Sequence, residues 1–167
     1  MEINRIPTRQ APEMNKSHVD DWSSRLVPDS EFESLRDAVV ATPDGSSLKF
    51  VDLVTAWRAH VRRIVEDLPL TEDDRHAWGA YDLVAAMSLR SMVARGLLQD
   101  LAEKFPGAFR AISEADSTLL DITEHDEQGI AVLLDDTGPR SADEWWWFRI
   151  PRSGPIRQEL DRLAPSL

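Results

Sequence analysis

Hydrophobic positions recur most regularly between residues 50 and 68, where Phe50, Leu53, Val54, Trp57, Val61, Ile64, Val65 and Leu68 follow the 3.6-residue repeat of a helix. Asp52, Arg58, Arg62, Arg63 and Glu66 take much of the remaining circumference, so the segment reads as an amphipathic helix lying on a core. Pro69-Leu70 ends it. Thr71 with Asp74 then resembles a capping box and opens a second, longer helix. In that helix Trp78, Tyr81, Val84, Ala85, Met87, Leu89, Met92, Val93, Leu97, Leu98, Leu101 and Phe105 cover so much surface that it is expected to be the most buried element. Upstream, Ser17 is a candidate cap for a short helix through Leu26. Asp29 or Ser30 is the candidate for a helix through Ala41, in which Phe32, Leu35, Val39 and Val40 keep helical spacing. The turn Thr42-Pro43-Asp44-Gly45 ends that segment. A short helix around residues 108–114 follows Pro106-Gly107.

Beyond this point the period changes from helical to alternating. Residues 118–123, 130–135 and 144–150 read as strands, with Glu127-Gln128-Gly129 as a hairpin turn between the first two and residues 137–142 as a longer connection. Pro151 ends the last strand, and Gly154-Pro155 opens a terminal helix carrying Ile156, Leu160 and Leu163 on one side. The predicted architecture is α+β: a helix-rich N-terminal two-thirds packed on a small three-stranded antiparallel sheet, with a C-terminal helix. Residues 1–16, with Pro7, Pro12 and no periodicity, read as a flexible leader, and residues 17–167 as a single α+β domain.

Three of the six tryptophans stand side by side at Trp145, Trp146 and Trp147. In a strand, successive side chains point to opposite faces. A three-stranded meander therefore places Leu120, Ile122, Ile130, Val132, Leu134, Trp146, Phe148 and Ile150 on a face that packs on the helices. The other face carries Leu119, Asp121, Thr123, Ala131, Leu133, Asp135, Trp145, Trp147 and Arg149, a mixture of aromatic, aliphatic and charged groups that suits a contact surface. Either a terminal helix covers it as core, or a second copy of the chain, a heterologous partner or a ligand does. A one-residue slip in register would exchange the two faces.

Composition narrows the classes. The chain has 167 residues, 42% of them apolar and 29% charged, the make-up of one globular domain. A net charge of −11 repels phosphate backbones and anionic membranes, which disfavours a nucleic-acid role; it suits solubility or a basic partner. With no cysteine, disulfides and thiolate chemistry are excluded. No run approaches the roughly 18 apolar residues of a membrane span, and the first residues do not resemble a signal peptide, so a cytoplasmic location is expected. Lysine occurs only at Lys16, Lys49 and Lys104 among 19 basic residues, a skew towards arginine that suggests a bacterial source.

Candidate chemistry is sparse. Arg149, Arg152 and Arg157 surround Ser153-Gly154 where the last helix begins, and helix N-termini attract anions through free amide donors. His18, His60, His76 and His125 lie in separate segments without metal-ligand spacing, and His125 reads as part of a solvated hairpin tip. His60 and Asp121, set within apolar patterns, read as satisfied structural groups. No nucleophile motif is present. The expectation is a non-enzymatic acidic protein-interaction module, such as a bacterial inhibitor, immunity-type or regulatory partner. Its contact would be the aromatic sheet face (Trp145, Trp147, Arg149, Leu133, Asp121) or an acidic helical face. The alternative is a small-ligand-binding protein or enzyme, with a tryptophan-lined pocket and an anion site from Arg149, Arg152, Ser153, Gly154 and Arg157. Neither reading calls for a cofactor or metal.

Overall fold

The computed structural model describes residues 21–166; Ser17 and the leader expected over residues 1–16 fall outside that range. The chain is mixed helix and strand with 63% helix. Its elements in order are α1 (Trp22–Leu26), α2 (Asp29–Asp37), β1 (Val39–Ala41), β2 (Ser47–Lys49), α3 (Phe50–Asp67), α4 (Ala80–Leu98), α5 (Leu101–Lys104) and α6 (Pro106–Ile122). They are followed by β3 (Thr123–His125), α7 (Ile130–Leu134), a 3-10 turn at Trp145–Phe148, β4 (Arg149–Pro151), α8 (Pro155–Leu163) and a 3-10 turn at Ala164–Ser166. Among the described residues no helix is long and apolar enough to cross a membrane.

The stripe read from Phe50 onward forms α3, and its Phe50, Leu53, Val54, Trp57, Val61 and Ile64 are buried. It packs against both α4 and α6. α4 also touches β1, α5, α7, α8 and the 3-10 turn at residues 145–148, so it is the hub expected of it, although Tyr81 and Leu98 are exposed. Gly96 on α4 permits close packing: a Cβ there would lie 2.7 Å from a Phe50 ring carbon and 3.0 Å from a Val40 methyl.

Several expectations need correction. The helix begun at Asp29 stops at Asp37, and residues 39–41 instead pair antiparallel with residues 47–49. There Val39 is exposed and Val40 fully buried, the alternation of a strand; Asp44 closes the turn by accepting from the amide of Ser46 at 3.1 Å. The hub helix starts at Ala80 rather than Thr71. Its N-terminus is capped across the chain by Glu159, whose Oε2 accepts from the amide of Ala80 at 2.6 Å, while Asp82 accepts from Gly79 at 2.8 Å.

The remaining corrections concern the C-terminal third. α6 runs to Ile122 because Ala108, Ala111, Ile112, Ala115 and Leu119 continue a buried helical stripe through the segment read as a strand. Residues 130–134 form the short helix α7, opened by Gly129 at φ +65° and by Asp126, which accepts from the amide of Ala131 at 3.1 Å. Among the described residues the three-stranded sheet is therefore absent. Two two-stranded ladders stand in its place, and β3 pairs with β4 in the register Thr123↔Pro151, Glu124↔Ile150, His125↔Arg149.

At the centre of the helices lies a charged pair. Arg90 of α4 donates from Nε and Nη2 to the two carboxylate oxygens of Asp116 on α6, at 2.9 and 2.7 Å. Trp57 of α3 donates to Asp116 Oδ1 at 2.9 Å. The guanidinium carbon of Arg90 lies 4.4 Å from the ring centroid of Trp146 and 6.0 Å from that of Trp57. Arg90 is 5% exposed, and its Nη1 has no acceptor among the described residues.

Two stability outcomes follow from these contacts. Asp116→Ala, which strands Arg90, is expected to cost about 3–5 kcal/mol in denaturant unfolding, whereas Arg90→Met with Asp116→Leu should cost markedly less. Gly96→Ala is expected to cost about 1–3 kcal/mol by overpacking against Phe50; an unchanged midpoint would show that α4 and β1 separate freely.

Candidate functional site

The last carbonyls of α6 have no partners within the helix. β4 supplies them. Arg149 donates from Nη2 to Thr123 O at 2.7 Å and to Leu120 O at 3.4 Å, and from Nε to Thr123 Oγ1 at 3.0 Å. The Thr123 hydroxyl in turn donates to Leu119 O at 2.7 Å. The Arg152 amide donates to Ile122 O at 3.1 Å, and its guanidinium donates to Asp121 O. Two positive groups thus complement the negative end of the α6 dipole.

This arrangement relocates the arginines nominated for an anion. Arg149 and Arg152 serve the end of α6 rather than the start of α8. Arg157, in the first turn of α8, pairs with Glu124 and, at 2.8 Å, with Asp161. Ser153 is exposed, while Gly154 is buried at φ +88°, where a Cβ would lie 3.0 Å from the Leu68 backbone. Burial is the main influence holding the Arg149 guanidinium below its usual pKa; the neighbouring charge of Arg152 adds to it and Glu124 opposes it. Hydrogen bonding to Glu124 chiefly raises that of Arg157.

The tryptophan run is a 3-10 turn, not a strand. With about three residues per turn, successive side chains leave its axis roughly 120° apart instead of alternating. Trp146 and Trp147 enter the core, and both indole nitrogens donate to Ser91 Oγ, at 3.1 and 3.0 Å. Ser91 donates in turn to Glu144 Oε1 at 3.0 Å. The guanidinium carbon of Arg140 lies 4.1 Å from the ring centroid of Trp147, and Arg140 pairs with Asp135. Trp145 remains half-buried at the surface, edge-on to Trp146 with ring centroids 5.9 Å apart.

Trp145 faces a cleft of about 820 Å³ between the end of α6, the turn at residues 125–129 and the 3-10 turn. Its apolar surface comes from Trp145, Phe148 and the exposed Leu120. Arg149, His125 and Arg140 add polar groups, and the His125 ring lies 6.4 Å from that of Phe148. Of the five residues expected on one sheet face, the cleft gathers Trp145 and Arg149. Trp147 is fully buried, Leu133 is 57% exposed on α7, and Asp121 is exposed near the end of α6; none of these three lines the cleft.

Sequence reasoning assigned Leu120 and Phe148 to a core-facing sheet and gave no role to Arg140. The overlooked signal was the small-residue repeat Ala108, Ala111, Ala115, which carries α6 on to Leu119 and puts Leu120 at its exposed end. Among the described residues no group of three or more His, Asp or Glu side chains is placed to hold a metal ion. Compared with protein families, curated proteins and solved structures, the chain matches none of them. The fold and cleft alone define its class, an α+β protein with an aromatic surface cleft at a helix C-terminus.

Thr123→Val should test the scaffold of the cleft, since it removes the acceptor of Arg149 Nε inside a fully buried site. A loss of about 1–2 kcal/mol in thermal unfolding is expected. A neutral result would mean that Arg149 holds the helix end through carbonyls alone.

Proposed function

We propose that this protein is a ligand-binding protein whose cleft at the end of α6 receives a flat apolar group between Trp145, Phe148 and Leu120. The observation that carries this reading is that exposed Leu120 and half-buried Trp145 and Phe148 line one concavity, while Trp22, Trp57, Trp146 and Trp147 are buried. A volume of about 820 Å³ falls within the roughly 300–1,000 Å³ typical of small-molecule sites. The polar groups at the wall come from β4, the 125–129 turn and the loop before the 3-10 turn, elements joined by hydrogen bonds to the helices.

A second reading, an acidic interaction protein with a basic partner, draws on another feature. Across the 125–129 turn lies a cleft of about 580 Å³ bordered by Glu124, Asp126, Glu127 and Asp161, on a chain of net charge −11. The salt dependence of association separates the two readings. A basic protein partner should associate more slowly as salt rises, whereas an uncharged aromatic probe should be insensitive to it.

The direct test is a titration of the 15N-labelled protein with the neutral probe 2-naphthylacetamide. Saturable shifts are expected at the Trp145 indole and at the amides of Phe148 and Leu120. Trp145→Ala, with its fold verified by circular dichroism, is expected to weaken binding about tenfold, on the order of 1.4 kcal/mol. Shifts that do not saturate, or that avoid the cleft, would remove the ligand reading.

A further inference from the structure

We infer that the ligand of this cleft is an aromatic carboxylate, with Arg149 as the group that recognises its charge. The inference rests on the binding reading of the same cleft and adds the chemical class of the occupant. It begins from how the charges around the cleft are used. Arg140 is neutralised by Asp135. The Glu124 carboxylate is paired with Arg157, and Asp126, 3% exposed, accepts from the amide of Ala131.

Arg149 differs from these groups. Its Nε and Nη2 donate to a hydroxyl and to main-chain carbonyls, all neutral oxygens, so its full positive charge is not cancelled by an ion pair among the described residues. Nη1 makes no hydrogen bond among the described residues, and the residue lines the cleft beside Trp145 and Phe148. Arg152 adds a second guanidinium close enough to disfavour protonation of the first, and Glu124, engaged by Arg157, offsets this only in part, so no carboxylate among the described residues bonds Arg149 directly. A partly desolvated guanidinium of this kind gains from a carboxylate.

The apolar wall accounts for the other half of the ligand. Trp145, Phe148 and Leu120 offer a surface for a ring, and the arginine lies at its border, so a ring bearing a short carboxylate arm would meet both. Because two of the three guanidinium nitrogens are already held by Thr123 and Leu120, the third needs little further ordering when it meets an anion. Asp126, buried, and Glu127, on the exposed tip of the turn, are the opposing carboxylates on the cleft and make the amine the informative control.

The experiment compares 2-naphthylacetate, 2-naphthylacetamide and 2-naphthylethylamine in nitrogen-15 titrations at two salt concentrations, with the wild-type protein, Arg149→Gln and Arg152→Gln. The acid is expected to bind about 5- to 10-fold more tightly than the amide, with the amine weakest. Arg149→Gln should erase the preference for the acid over the amide. Arg152→Gln, outside the cleft wall, should reduce the preference by about twofold, as should added salt. Equal binding of acid and amide at the cleft would overturn the carboxylate and keep the binding reading, and a preference for the amine would do the same. Absence of saturable shifts with all three compounds would overturn both. If Arg149→Gln is unfolded by circular dichroism, the Arg152→Gln and salt results decide; an unchanged preference in both would overturn the role of the arginines.

Discussion

The ion pair between Arg90 and Asp116 constrains more of this structure than any other contact. Removing two charges from water is costly, and attraction alone seldom offsets it without further hydrogen bonds. Here both carboxylate oxygens are engaged by the same guanidinium, one also accepts from Trp57, and the cation rests against Trp146. Those partners come from α3, α4, α6 and the 3-10 turn at residues 145–148, so one charged group fixes the mutual positions of four segments. Apolar contacts among the helices are less directional and supply cohesion, whereas the bidentate geometry supplies register.

The surface cleft inherits its shape from that interior contact. Trp146 lies against Arg90, and the adjacent Ser91 accepts from Trp146 and Trp147 together. With two rings of the 3-10 turn fixed inward, the third has only the outer direction left, and Trp145 becomes a wall of the cleft. Phe148 then leads into β4, whose pairing with β3 brings Arg149 opposite His125. The core ion pair and the shape of the surface cleft are linked through four consecutive residues.

Helix ends form the second organising constraint. The N-terminus of α4 is capped by Glu159 of α8, and the C-terminus of α6 is served by Arg149 and Arg152. Residues late in the chain therefore close the two central helices, with charges of the sign each dipole favours. Arg149 has two duties under this arrangement. Its bonds to Thr123 and Leu120 anchor it at the end of α6, and it lines the cleft without an ion pair among the described residues.

Wherever local periodicity and burial agree, the sequence alone was sufficient. Phe50 to Ile64 repeat on one side of α3 because that helix buries only one stripe, and Gly154-Pro155 starts α8 because glycine supplies the positive φ and proline the first-turn geometry. The mixed helix and strand character was legible for the same reason. The placement of the strands was not: alanines conceal the buried stripe of α6, so its last turn looked alternating, and a run of three tryptophans carries no period that separates a strand from a 3-10 turn. Trp145 and Arg149 were visible as candidates from residue type. Only the tertiary structure decided that Trp147 belongs to the core, that Arg152 and Arg157 are turned to other partners, and that Leu120 and Phe148 complete the cleft. These choices depend on Arg90, Ser91 and Asp116, which lie far along the chain from the tryptophans and become their neighbours only once the helices have packed.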